Sequence, residues 1–295
     1  MKIRAAIQIS TGLFSLTLAV VLIGCGGSGS GSAGGFTIQS AWEGTKQAGT
    51  TSFDFGWGNT VDKNGNVFVT GGTGGSLDGN TSAGDLDMIL VKYNAAGEKQ
   101  WTRQLGTAAE DTGNAVAVDA SGNIYVVGTT LGDLGGPHEG NADEYDIFLV
   151  KYNTEGTEQW RRRLGTPEVD DAPCVAVDDT GNIYVSGTTY GDMDGDLGGT
   201  NAGNFDIFLV KYNAAGEKQW TRQLGTEYSD ECYSIAVDTN GNIYMTGLTY
   251  GNLDGKIMAG GNFDVILVKY NAAGEKQWTE LLGTHSDEYG YGLAT

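Results

Sequence analysis

The chain of 295 residues carries 37 acidic against 17 basic side chains, a formal charge of −20. That balance repels a phosphate backbone, so nucleic acid is excluded as a partner, and it argues against an anionic membrane surface as the main one. With 49 Gly, 3 Pro and compact apolar runs, the composition suits short strands joined by tight turns and excludes both a helical bundle and a disordered chain.

The N-terminus reads as a targeting segment. Lys2 and Arg4 precede an apolar run from Ala5 to Ile23, which ends in Leu22-Ile23-Gly24-Cys25. A positive start, an apolar core and a small-residue cleavage site describe a secretory signal peptide over residues 1–24. The alternative is an uncleaved membrane helix, since the run is long enough. The LIGC string resembles the lipobox of bacterial lipoproteins. The resemblance implies a lipid on Cys25, an extracytoplasmic protein held to a bacterial membrane, and release to the outer membrane in a Gram-negative cell, because Gly26 rather than Asp follows the cysteine. Residues 25–35, rich in Gly and Ser, form a flexible tether.

Apart from Cys25, the cysteines are Cys174 and Cys232. They occupy non-equivalent places in successive repeats and read as two separate, partly buried thiols, although an oxidising compartment would permit a disulfide. The two histidines, His138 and His285, lie in different repeats. That spacing argues against a His-based triad, and the Cys/His spacings of metal or haem sites are absent.

The rest of the chain is repetitive. LVKYN recurs at Leu90–Asn94, Leu149–Asn153, Leu209–Asn213 and Leu267–Asn271, with Trp101, Trp160, Trp220 and Trp278 on the same period of about 59 residues. In the second unit, Ala115–Asp119 reads as a short strand, Asn123–Thr130 as a β-branched one, Asp146–Asn153 as one apolar on both faces, and Glu158–Leu164 as a polar edge. Strands apolar on both faces must be covered twice, and a unit of this length cannot bury its faces alone. The expected fold is all-β: a β-propeller of four complete four-stranded blades over residues 36–295, with AVD strands innermost and Trp strands outermost. Repeats fall at about 49–106, 107–165, 166–225 and 226–283, and 284–295 begins a fifth. An additional strand is expected at Phe36–Trp42, making an incomplete fifth blade and an open edge.

DASGNIYVVGTT, DIFLVKYN and EKQWTRQLGT resemble the bacterial β-propeller repeats called SBBP repeats, over residues 49–295. The resemblance implies a propeller in an extracytoplasmic setting and brings no shared catalytic residue or ligand. KYNAAGEKQW is also similar to the hairpin of quinoprotein-type propellers, which supplies a second architecture.

Each unit carries a long loop with a Gly-rich string: Gly75–Gly79, Gly132–Gly136, Gly191–Gly195 and Gly251–Gly255. The third places Asp192, Asp194 and Asp196 at alternate positions. Such carboxylates can converge on a hard cation such as Ca²⁺, while Asp-Gly is also ordinary turn chemistry. Asp87, Asp146, Asp206 and Asp264, one before each apolar strand, read as caps, because a catalytic pair needs two different environments. The four Trp read as packing between blades. Two functions follow from this: a membrane-anchored, non-catalytic binding or scaffold module for protein or glycan partners, or a carbohydrate-active or quinone-dependent enzyme using channel carboxylates. The residues that break the repeat, Pro137-His138-Glu139, Arg161-Arg162-Arg163 and Asp192–Asp196, fall on scattered segment types, which favours binding.

Overall fold

The computed structural model describes residues 46–137, 144–193 and 201–294. Blade 1 holds β1 (Asp54–Val61), β2 (Val67–Thr73), β3 (Asp87–Tyr93) and β4 (Lys99–Leu105). Blade 2 holds β5 (Asp111–Val118), β6 (Ile124–Thr130), β7 (Asp146–Tyr152) and β8 (Glu158–Leu164). Blade 3 holds β9 (Asp170–Val177), β10 (Ile183–Thr189), β11 (Asp206–Tyr212) and β12 (Lys218–Leu224). Blade 4 holds β13 (Asp230–Val237), β14 (Ile243–Thr249), β15 (Asp264–Tyr270) and β16 (Lys276–Leu282). Every blade is an antiparallel meander in chain order, and the described residues contain no helix.

Both hairpin turns come from local chemistry. The Asp62 carboxylate accepts the main-chain N–H and the side-chain amide of Asn66, at 2.9 and 2.7 Å, across Gly65. Asp119, Asp178 and Asp238 repeat the arrangement. At the other hairpin the Asn94 side chain accepts N–H from Ala96 and Glu98, an Asx turn closed by glycine.

First strands lie innermost. The inner strand β5 packs on β1, β2 and β3, as β9 does on blade 2 and β13 on blade 3. The apolar faces interdigitate between blades: Phe68, Met88 and Leu90 of blade 1 meet Ile124, Val126 and Phe148 of blade 2. Every residue of β6 is buried, as expected for a strand covered twice. Along β15 burial alternates instead, because among the described residues no further blade covers one face of blade 4. Blades 4 and 1 do not pack together, so the array is not closed.

The outer edges are latched from blade to blade. Arg103 lies over Trp101 and its Nε donates to Gly156 O of the next blade at 2.6 Å, while Lys92 donates to Thr154 O at 3.1 Å. Arg162 reaches Gly216 O at 2.9 Å and Arg222 reaches Gly274 O at 2.7 Å. Gly216, at φ +75°, leaves room for the Trp160 ring, which a Cβ would meet at 2.9 Å. The Trp residues therefore pack between blades. Blade 4 carries Glu280 where the others carry this Arg, and Glu280 pairs with Lys256 of its own blade at 2.9 Å.

One expectation needs revision. The inner strand starts at Asp111, four residues before Ala115, because a β-bulge between Gly113 and Ala115 interrupts the alternation that marks a strand in sequence. The strand expected at Phe36–Trp42 lies outside the described residues, and residues 284–294 form no ladder strand.

Candidate functional site

At the end of the blades that carries the long loops, each sheet has an Asp–Thr–Asp row across its first three strands. In blade 2, Asp111 faces Thr130 and Thr130 faces Asp146. Blade 3 repeats it with Asp170, Thr189 and Asp206, and blade 4 with Asp230, Thr249 and Asp264. All these Asp are at most 1% exposed. The inner-strand Asp closes the loop that precedes it: Thr166 N–H donates to Asp170 and Thr226 N–H to Asp230, both at 2.6 Å. The third-strand Asp caps the long loop, as Ala83 N–H to Asp87, Ala202 N–H to Asp206 and Ala259 N–H to Asp264 show, at 2.7–2.8 Å. These carboxylates are buried and engaged by the main chain, so no substrate reaches them.

Burial drives the pKa of Asp170 and Asp230 up to about 6, with Asp146 and Asp206 adding like charge and the Thr hydrogen bonds opposing it. Blade 2 alone places Arg163 against its third-strand Asp: Arg163 Nε donates to Asp146 at 2.7 Å, and the pair is 9% and 1% exposed. In blades 1 and 3 a neutral Gln stands there, Gln104 to Asp87 at 2.7 Å and Gln223 to Asp206 at 3.2 Å.

The accessible chemistry lies along the inner strands. Each has a bulge at the same level, and its extra residue differs from blade to blade: Trp57, Asn114, Pro173 and Tyr233. A bulge re-aims a side chain out of the ladder, and Pro is tolerated because that N–H is not needed there. Trp57 is 68% exposed and meets Phe55 edge-on at 5.6 Å. Asn114 Nδ2 donates to Asp171 at 3.0 Å. In blade 4 the Tyr233 hydroxyl donates to Glu231, and burial, followed by that hydrogen bond and the Glu231 charge, raises the Tyr233 pKa.

From Tyr233 a ladder of rings crosses the loop end of blade 4. Tyr233 stacks on Tyr291 at 5.5 Å, Tyr291 on Tyr289 at 5.4 Å with planes 7° apart, and Tyr289 meets Phe263 at 4.9 Å. Phe263 in turn contacts Tyr250 at 5.1 Å. The segment carrying Tyr289 and Tyr291 is held by Asp287 against the Asn262 N–H at 2.7 Å and by Leu293 N–H against Ser234 Oγ at 3.1 Å. Tyr289 is 55% exposed and Tyr291 67%. Elsewhere in blade 4 a shallow depression is lined by Thr226, Glu227, Tyr228, Asn252 and Asp254. The arrangement offers apolar ring faces next to carboxylate and amide acceptors. Among the described residues no cluster of three His, Cys, Asp or Glu converges as a metal centre would.

Of the residues singled out in sequence, Cys25, Asp194 and Asp196 lie outside the described residues. Asp192 accepts the Asn201 N–H within its own loop. The repeat equivalents of Asp194, Asp78 and Asp254, tie their loops to strand 4 through Thr102 and Thr279, both at 2.5 Å. The loop Leu or Met between these positions (Leu77, Leu134, Met193, Leu253) is buried as an anchor. The bulge residues and the tyrosine ladder escaped sequence reasoning. Their signal was available: positions that vary inside an otherwise repeated strand.

The family described as SBBP, Beta-propeller repeat, matches residues 100–135, 159–192 and 219–254, each running from the outer strand of one blade into the first two strands of the next. Regulatory protein FlaEY of Caulobacter vibrioides is 29% identical over 238 residues, covering 75% of this chain and 24% of that protein. An uncharacterized WD repeat-containing protein of Acanthamoeba polyphaga mimivirus is 27% identical over 239 residues, covering 65% of this chain and 17% of that one. The chain thus spans a quarter or less of these curated relatives. Among solved structures, hydrazine synthase of Kuenenia stuttgartiensis is similar with a TM-score of 0.38 at 14% identity, covering 77% of this chain and 66% of that one. A Bacteroides caccae protein of unknown function has a TM-score of 0.36 at 11% identity, covering 77% and 81%.

Proposed function

We propose that this chain is a lipid-anchored extracytoplasmic binding module that takes a glycan on the tyrosine face of blade 4. The observation carrying this reading is the ladder Tyr233–Tyr291–Tyr289, exposed at Tyr289 and Tyr291, beside the Glu231 carboxylate and the Asn262–Asp287 pair. Stacked rings give flat apolar contact at low entropic cost, and the phenol keeps a polar handle. Carboxylates and amides beside them accept hydroxyl hydrogens, and their charge favours neutral or amino sugars over acidic ones. A protein ligand using the same rings is the other partner class. The repeated buried Asp serve the loops, which weighs against an enzyme built on channel carboxylates.

Glycan-array screening of the soluble form beginning at Gly26, followed by titration of any hit, tests the ligand. Replacing Tyr291 with Ala is expected to weaken binding about tenfold, near 1.4 kcal/mol. Unchanged affinity in that variant would move the site elsewhere. The anchor is tested separately. Cys25→Ser is expected to shift the protein from the membrane fraction to the soluble one, and retention in the membrane with an uncleaved N-terminus would refute lipidation.

A further inference from the structure

At the last two interfaces, neighbouring inner strands bring two positions into one core cluster, the fifth residue of one strand and the third of the next, counted from the inner-strand Asp. Between blades 1 and 2 the same positions are Gly58 and Gly113; a Cβ on Gly58 would lie 2.8 Å from Ala115 Cα, and one on Gly113 would clash with Thr70 Oγ1 of blade 1. Between blades 2 and 3 they are Ala115 and Ala172, packed in one cluster. Between blades 3 and 4 both members have changed together, to Cys174 and Cys232. They are buried, at 4% and 1% exposed, and share one cluster with Tyr184, Ile207 and Met245. The two side chains are within hydrogen-bonding reach of each other. Ser186 Oγ, whose hydrogen goes to Phe208 O at 2.7 Å, lies 3.2 Å from Cys232 Sγ.

Both thiols are free in this structure. A single buried Cys is a small apolar residue, but two that share one core cluster within hydrogen-bonding reach, where the preceding interface has Ala115 and Ala172, point to a bond between them. We infer that Cys174 and Cys232 form a disulfide that staples blade 4 to blade 3. The oxidant is a disulfide donor, a small molecule or a protein dithiol in its oxidised form. One cysteine thiolate attacks the donor and releases its first thiolate. The second cysteine thiolate then attacks the mixed disulfide and releases the other. The protein loses two protons and an electron pair, and the donor is reduced to two thiols. Because both sulfurs are buried in the assembled array, exchange takes place before blade 4 has docked.

The staple has a consequence for the tyrosine face. Blades 1 to 3 each latch onto the following blade through an Arg, whereas blade 4 has Glu280 at that position and, among the described residues, packs on no blade but blade 3. A covalent link at this interface holds the blade that bears the ladder. The inference rests on the extracytoplasmic reading for its oxidant in the cell, and on geometry alone for the pairing.

The test refolds the full chain in a mixture of oxidised and reduced glutathione and maps its peptides under non-reducing conditions. A peptide joining Cys174 to Cys232, two hydrogens lighter than its parts, is expected. Reduction is expected to lower the melting temperature by on the order of 10 °C. The variant Cys174→Ala with Cys232→Ala, which copies the Ala115–Ala172 interface, is expected to fold and to ignore reductant. Folded protein from the oxidising mixture in which Cys174 and Cys232 are both fully alkylated after denaturation overturns the pairing. So does a bridge from either of them to Cys25. Because fractionation of Cys25→Ser reports location independently, failure of the pairing and failure of the extracytoplasmic reading are distinguishable.

Discussion

Acidification from pH 7 to pH 5 is expected to stabilise the protein, against the usual direction for an acidic chain with many paired carboxylates. Asp170 and Asp230 are buried with pKa values of about 6, against an ordinary value of 3.8. A carboxyl whose folded pKa is raised holds its proton more tightly folded than unfolded. The native state therefore binds more protons than the unfolded one between about pH 4 and 6, and stability grows as pH falls through that window. Each group contributes about 1.3 kcal/mol between pH 7 and pH 5. Together they correspond to a rise in melting temperature of roughly 5–10 °C. Burial pulls the carboxyls of Asp78, Asp178 and Asp254 up, but their hydrogen bonds, joined by the Lys99 and Lys276 charges at Asp78 and Asp254, together outweigh it and hold all three below the ordinary value. Those groups lose stability only below about pH 4, outside the window. Replacing Asp170 and Asp230 with Asn is expected to raise stability at pH 7 and flatten the profile. A melting temperature that falls steadily from pH 7 to pH 5 in the parent protein would show that these carboxyls are ionised when folded.

Arg163→Leu is expected to be among the most damaging single changes in the chain, at about 3–5 kcal/mol. It leaves the Asp146 carboxylate, 1% exposed, without its cation. Arg163→Gln is expected to cost less than about 1.5 kcal/mol, because Gln104 and Gln223 already serve Asp87 and Asp206 from the same strand position. Denaturant unfolding of the two variants separates charge from volume. Equal losses would mean that Arg163 acts by packing alone.

The two variants also mark how far sequence reading carried. The Arg161-Arg162-Arg163 run stood out as a break in the repeat, but it appeared as one feature. Folding divides it into three: Arg161 pairs with Glu158 on the outer edge, Arg162 clasps the next blade's turn at Gly216, and Arg163 enters the interior to meet Asp146. Alternation along a strand sends neighbours to opposite faces. Which face is buried, and against what, depends on the next blade.

By itself the sequence determined what is local and repeated. The strand count, the four units and the Asn–Gly turns followed from strings such as LVKYN and GNIY, because turn chemistry and two-faced apolar runs act within a few residues of themselves. The capping role of Asp87, Asp206 and Asp264 followed for the same reason. Tertiary structure alone decided what lies between units. Cys174 and Cys232 occupy different positions in their repeats and seemed unrelated, yet the packing of blade 4 on blade 3 brings them into one core cluster. Tyr233 meets Tyr291 across nearly a full repeat, and the bulge that turns Tyr233 out of the ladder breaks the alternation that sequence reading follows. Contacts of this kind are set by how one sheet sits on the next, a quantity that no single repeat encodes.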